Sequence, residues 1–371
     1  MSTPLRDQKN FRVAWLFLLP NFLGFLIFGL VPLLLSLAGS FTTWSLRPAV
    51  PLQFVGFTNY IELFRDRNFY FYLYNTAYLM LGLPVAIAGA LTLAVLLNQR
   101  LNFKQPRYRP GLALAAAVVG VGSAAMLWVS GAPSLAYILL ALGVLSTLGF
   151  LFGSVSYRTF FYLPHFTAGA ATILLWTQLY NPNFGLINQT LRQVYDFFGV
   201  TWEVPGWLTS TKSLLGFLPL PAHFNNGGFG LGAREAIMLM GVWGAIGGNT
   251  MLLYLAGLSN IPPDLYEAAD IDGASSWQRF WHITFPQLAP TTFFVTIMGV
   301  IGGLQGGFEQ ARLMTQGGPA GTTTTISYYI YTQGFERLDL GYGAAVAWVL
   351  FVMILVLTLA NWKFGSRRMS D

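Results

Sequence analysis

The chain has 371 residues, of which 54% are hydrophobic and 9% charged, against about 25% charged in an ordinary soluble domain. That deficit, with a mean hydropathy of +0.55, excludes a soluble globular protein and makes lipid the solvent of the fold. The lack of cysteine excludes disulfides, thiol nucleophiles and thiolate metal sites, and a net charge of +6 carried at membrane edges, with no long basic run, speaks against nucleic acid as a partner.

A helix of about 20 residues crosses the roughly 30 Å of bilayer hydrocarbon. Eight stretches approach that length: residues 13–38, 76–97, 111–129, 135–153, 161–179, 236–258, 291–308 and 342–362. Arg6, Lys9 and Arg12 before the first imitate a secretion signal. The run that follows is too long for one and lacks a small-residue cleavage site, so an uncleaved span is expected. Only residues 130–134 separate the third and fourth stretches, which form either two spans or one re-entrant hairpin. Gln305 and several glycines interrupt the seventh.

Basic residues set orientation. Arg6, Lys9 and Arg12 at the start, Arg100, Lys104, Arg107 and Arg109 after the second span, and Lys363, Arg367 and Arg368 at the end all belong on the cytoplasmic side. The expectation is an all-α membrane protein in a cytoplasmic membrane with both termini inside. Longer external loops fall near residues 39–75, 180–235 and 309–341. The middle one, rich in Trp and Pro, forms a small cap.

One substantial loop remains inside, residues 259–290, reading SNIPPDLYEAADIDGASSWQRFWHITFPQLAP. Pro263 suits the first position of a helix, and Asp264 then meets its positive end. Gly273 can take positive φ and stop the helix. Ser275-x-x-Gln278 is a capping box that starts a second one, and Pro286 marks the entry to the next span. Asp264, Glu267, Asp270 and Asp272 face only Arg279, and anionic lipid attracts basic helices rather than acidic ones. A protein partner therefore competes with the plainer reading of a connector lying on headgroups.

Glu267-Ala268-Ala269, then Asp272-Gly273-Ala274, Phe280, Ile283 and Pro286, resemble the EAA loop of permease subunits of binding-protein-dependent ABC importers, with Phe285 where the usual pattern has Leu. Residues 54–60 (FVGFTNY), 181–188 (NPNFGLIN) and 314–319 (MTQGGP), followed by Thr322 to Thr325, are similar to carbohydrate-type permeases and, among these, to the MalF-like subunit. The resemblance covers residues 13–100 and 157–365. It implies a six-helix permease core. It divides the chain into a cytoplasmic tail (1–12), two spans with their external loop (13–100), an inserted transmembrane hairpin (101–156) and the remaining core (157–371). For the insert, contact with another subunit and a lipid-facing hairpin without a role both stay open. The resemblance also implies partners: a second, MalG-like permease, a cytoplasmic ATPase dimer and an extracytoplasmic solute-binding protein. Glu267 would meet a basic residue of the ATPase, with Ala268, Ala269, Asp272, Gly273, Ala274 and Pro286 shaping the docked loop. ATP and Mg would sit on that partner, and the cargo would be a sugar.

No ATP-hydrolysing motif is visible. Gly206-x-x-x-x-Thr211-Lys212-Ser213 lacks the second glycine of a P-loop and has no strand before it. His165, His223 and His282 lie far apart and do not read as metal ligands or catalytic residues; His165 reads as a packing residue. Polar residues within spans tend to face a pathway, which makes Asn249, Gln305, Glu309 and Gln310 candidates for lining one, against helix–helix bonding as the plainer account. Two rivals remain. A secondary transporter of a small polar solute would need inverted repeats with broken helices, and no repeat is seen. A membrane enzyme would need clustered acids or histidines with a nucleophile or metal pattern, and the 259–290 loop has none.

Overall fold

In a computed structural model, residues 4–98, 109–152, 154–166, 169–221, 224 and 227–365 are described. Among them the only β pairing is isolated bridges such as Thr42 with Phe54. Seven helical runs are long and apolar enough to cross a membrane: Trp15–Gly39, Arg67–Asn98, Pro110–Val129, Pro133–Phe152, Ala233–Ser259, Ala289–Thr315 and Leu340–Lys363. The expected stretch over 161–179 is instead two helices, Ser154–Phe166 and Ala170–Leu179. The second has ten residues and spans only about 15 Å. Pro164 and Gly169, whose φ is +86°, explain why the run cannot continue unbroken.

Residues 1–70 with 329–353 form one compact unit, and residues 71–328 with 354–371 a second. In the first, the FVGFTNY motif acts as a staple. Buried Asn59 donates its side-chain amide to the Ser40 and Thr42 carbonyls at 2.8 and 3.0 Å, and the Tyr60 hydroxyl pairs with Ser40 Oγ at 2.7 Å. The Tyr329 hydroxyl donates to Asp66 at 2.6 Å. Burial and then that hydrogen bond raise its pKa, so it stays a donor.

In the second unit, Gly82–Asn98 packs on Asn249–Ser259 through Ala90, Leu91, Ala94, Met251, Tyr254 and Leu258. At the other end of these spans the 180–235 segment forms the expected cap. An amphipathic helix, Leu186–Phe198, leads to a core of Tyr180, Trp207 and Ala236. Buried Asn188 accepts from the Trp207 indole at 2.7 Å and donates to the Pro205 carbonyl at 3.2 Å, which is the structural use of the NPNFGLIN motif. MTQGGP serves similarly: Gln316 and Gly317 take positive φ, and Thr323 donates to the Gly318 carbonyl at 2.7 Å.

The described part of the insert is an antiparallel hairpin, Arg109–Val129 and Pro133–Phe152. Its helices meet backbone to backbone: a Cβ on Gly120 would lie 2.6 Å from the Gly143 Cα, and one on Gly143 2.7 Å from that of Gly120. This is the small-residue packing that lets helices associate in lipid. The turn is tied to the cap helix by Ser134 Oγ to Gln189 Oε1 and Leu135 N–H to Gln193 Oε1, both 3.2 Å. Gly120→Leu is expected to splay the hairpin and cost about 2 kcal/mol, the scale of overpacking a filled interface. A lowered thermal unfolding midpoint in detergent, with Gly122→Leu as the control at an open position, checks this.

Candidate functional site

The 259–290 segment folds as its local signals require. Pro262 has φ −58° and ψ 130°, Pro263 opens the Pro263–Ile271 helix, and Asp264 occupies its first turn. Gly273, at φ +73°, reverses the chain, and the Ala274 N–H reaches back to the Ala269 carbonyl at 2.9 Å. Ser275 then caps the next helix. Its hydroxyl accepts from the Gln278 N–H at 3.3 Å, and its own N–H donates to the Gln278 side chain at 2.8 Å. A wide π turn over Phe280–Thr284 precedes Pro286, whose ring lacks the N–H that a regular helix would use there.

Two contacts fix the angle between the helices: the Asp270–Arg279 ion pair and the Tyr266 hydroxyl against Thr284 Oγ1 at 2.9 Å. Tyr266, Phe280 and Ile283 pack on the core at the end of the spans. The opposite face carries exposed Asp264, Glu267, Ala268 and Asp272, with Ile271 87% exposed beside them. Glu267 has no hydrogen-bond or ion-pair partner among the described residues. The bend thus presents a carboxylate beside small and apolar side chains, held by the two bracing contacts.

The second feature is a set of broken spans. Helix Ala233–Ile246 stops at Gly247-Gly248 before Asn249–Ser259 begins. A Cβ on Gly247 would lie 2.0 Å from the Phe161 carbonyl oxygen, so the neighbouring helix approaches where only glycine fits. Helix Ala289–Gln305 stops at Gly306 and Gly307, the latter at φ +81°, ahead of Phe308–Gln310. Irregular backbone at membrane depth persists only where protein or a water-filled cavity satisfies it. Beside these breaks lies a cavity of about 200 Å³ whose wall includes His165, Thr172, Trp243, Glu309 and Gln310. A larger one of about 360 Å³ is lined by Gly82, Gly299, Gly303 and other glycines. Gly241 and Gln310 belong to both walls.

Of the four polar candidates, Glu309 and Gln310 are therefore brought together, and His165, read as a packing residue, joins them. Asn249 and Gln305 line neither cavity. Asn249 accepts from the Tyr162 hydroxyl at 3.2 Å, and the Gln305 carbonyl accepts from Ser327 at 2.7 Å. The Thr172 hydroxyl is buried with no hydrogen-bond partner among the described residues. The P-loop-like stretch opens only a three-residue turn, Trp207–Thr209, and offers no helix to hold a phosphate.

Sequence reading overlooked Arg234 and Glu235 at the far end of the Ala233–Ser259 run. They are 2% and 0% exposed. Arg234 donates to Asn75 Oδ1 at 2.8 and 3.0 Å and to the Thr322 carbonyl at 3.1 Å. Its guanidinium carbon sits 5.2–5.6 Å from the ring centres of Phe71, Tyr74 and Tyr78. Glu235 accepts from the Tyr78 hydroxyl, from the Leu214 N–H at 2.8 Å and from the Gly232 N–H at 3.0 Å. Each charge is satisfied separately, and together they bind the cap and the 317–325 turn to two spans. The available signal was a pair of ionisable residues opening an apolar run.

Comparison with known proteins places these features. A family model described as the binding-protein-dependent transport system inner membrane component matches residues 60–364. The chain is 28% identical to the probable ABC transporter permease protein YesP of Bacillus subtilis, over 97% of this chain and 92% of that one. It is 34% identical to the sn-glycerol-3-phosphate transport system permease protein UgpA of Agrobacterium fabrum, over 58% of this chain and 64% of that one. A chain of a bacterial alginate ABC transporter, solved in complex with an alginate pentasaccharide-bound periplasmic protein, superposes with a TM-score of 0.68 over 99% of both chains; at 22% identity this is a likeness of fold. The family match contains both the exposed bend and the cavities at the broken spans: the chain belongs to the binding-protein-dependent transport system inner membrane components and is a permease subunit of an ABC importer.

Proposed function

We propose that this subunit forms half of a sugar-conducting pathway in the cytoplasmic membrane, with the 259–290 bend and both termini in the cytosol. A second permease completes the path, a solute-binding protein delivers cargo from outside, and an ATPase dimer holding ATP and Mg grips the bend. Glu267 meets a basic residue of the ATPase. Ala268 and Ala269 let the partner approach closely, and Gly273 with Asp272 and Ala274 makes the reversal that presents the helix. ATPase closure then moves the spans on either side through Leu258, Ile261 and Leu288, which pack beneath the bend. Glu309 and Gln310 line the route.

The observation that carries this reading is Glu267, exposed and unpartnered on a bend braced by Asp270–Arg279 and Tyr266–Thr284. Sugar as cargo rests on the carbohydrate-type motifs and on relatives named for glycerol phosphate and alginate. Co-purification with the encoded ATPase, second permease and binding protein tests the proposal, followed by ATP hydrolysis in liposomes with a panel of sugar-loaded binding protein. Stimulation by one sugar class supports it; assembly without stimulation by any sugar refutes the cargo.

A further inference from the structure

Among the described residues, Glu309 is the one Asp, Glu, Lys or Arg on the wall of the smaller cavity. Glu309 is exposed in the single chain and sits in the Ala289–Thr315 run, past the Gly306-Gly307 break that ends the Ala289–Gln305 helix. It lines the cavity wall, which suits a carboxylate better than lipid does. Its fellow wall residues are His165, Thr172, Trp243 and Gln310, with no lysine or arginine among them. Arg312 is one turn away with its guanidinium carbon 5.9 Å from the Phe308 ring centre, and it does not line the cavity. Arg234, also in this unit, is enclosed by Asn75, Thr322 and three aromatic rings.

We infer that Glu309 is a specificity-determining residue that rejects anions, so that the cargo is an uncharged polyhydroxy compound and not a sugar phosphate or a uronate. The inference rests on the pathway reading proposed above. A negative charge a few ångströms from a passing anion, in surroundings less polar than water, opposes entry by more than a single hydrogen bond favours it. A neutral sugar meets no such barrier. The carboxylate and the Gln310 amide accept and donate to its hydroxyls, the unpartnered Thr172 hydroxyl gains a partner, and the Trp243 face offers a stacking surface.

The cysteine-free chain permits a direct test in the assembled transporter. Gln310→Cys is treated with a cationic (trimethylammonium-ethyl) or an anionic (sulfonato-ethyl) methanethiosulfonate. The thiolate attacks the reagent's sulfenyl sulfur, forming a disulfide and expelling methanesulfinate, and modification is read from the mass of this chain. After division by the rates with a free thiol, the cationic reagent is expected to react at least about tenfold faster. With Glu309→Gln added, the two rates converge to within about twofold. An unchanged ratio in the double variant overturns the role of Glu309 while leaving the path intact. If neither reagent modifies Gln310→Cys, while both modify Ile271→Cys, the pathway reading itself falls. Thr172→Cys reports on the same wall should Gln310→Cys fail to assemble.

Discussion

Glu267→Arg is expected to abolish transport while leaving the chain folded and ATP hydrolysis by the ATPase subunits detectable. The side chain is exposed and has no hydrogen-bond or ion-pair partner among the described residues, so the substitution removes no such bond from the described fold. At the proposed interface it sets a guanidinium against a basic residue. Losing a desolvated charge pair and gaining like-charge repulsion costs about 3 kcal/mol, roughly a hundredfold in complex stability. Uptake into liposomes should therefore fall at least tenfold at fixed ATPase concentration. Glu267→Gln, which keeps the shape and loses the charge, should fall in between. Asp264→Asn, on the same helix, should change uptake by less than about threefold. Uptake by Glu267→Arg within twofold of the parent chain would remove Glu267 from the coupling contact.

Arg234→Met is expected to produce the largest loss of stability. The methionine fills much of the space but leaves Asn75 Oδ1 and the Thr322 and Phe224 carbonyls without their donor. Buried acceptors left unpaired cost about 1–3 kcal/mol each, and breaking a buried charged network about 3–5 kcal/mol in total. Asn75→Asp should also destabilise, although it places a charge against the guanidinium. The Asn75 amide donates to the Gly321 and Thr324 carbonyls at 2.9 and 3.0 Å, and a carboxylate cannot. Thermal unfolding in detergent checks both: a drop of several degrees for each, greater for Arg234→Met, is the expected result. The 317–325 turn should become susceptible to protease before the spans do.

These two sites differ in how much of them the sequence reveals. The bend at 259–290 is written locally. Pro263, Asp264, Gly273, Ser275 and Gln278 each act within a few residues of themselves, so their spacing specifies helix, reversal and helix before any tertiary contact forms. The spans are legible for the same reason, since lipid rather than a distant core decides which runs stay helical. The Arg234 network is the opposite case. Its partners Asn75 and Thr322 lie 159 and 88 residues away, and nothing near Arg234 names them.

The breaks at Gly247 and Gly307 fall between these extremes. Both residues sit within expected spans, and glycine is common in membrane helices, so composition alone does not separate a close-packing glycine from a break. The Phe161 carbonyl lying against Gly247 and the positive φ of Gly307 are tertiary facts. A secondary transporter would pair broken helices with inverted repeats. Here broken helices occur in an ABC importer subunit, beside the two cavities. The family match over residues 60–364, and not the breaks, separates the two classes. Among the polar candidates the outcome is likewise physical: the Asn249 side chain accepts from Tyr162 and the Gln305 backbone carbonyl from Ser327, whereas Glu309 and Gln310 sit past the Gly306-Gly307 break and line the cavity wall.

On the proposed function, a separate motor holds the bend from the cytosol. Ala268→Cys, introduced into the otherwise cysteine-free chain, places a thiol beside Glu267 on the exposed face of the Pro263–Ile271 helix. Treatment of the assembled complex in liposomes with a short bifunctional maleimide should join this chain to the ATPase subunit in high yield, and ATP should change that yield. A thiol modified by membrane-impermeant reagent from the outside, with no ATPase adduct, would contradict the account.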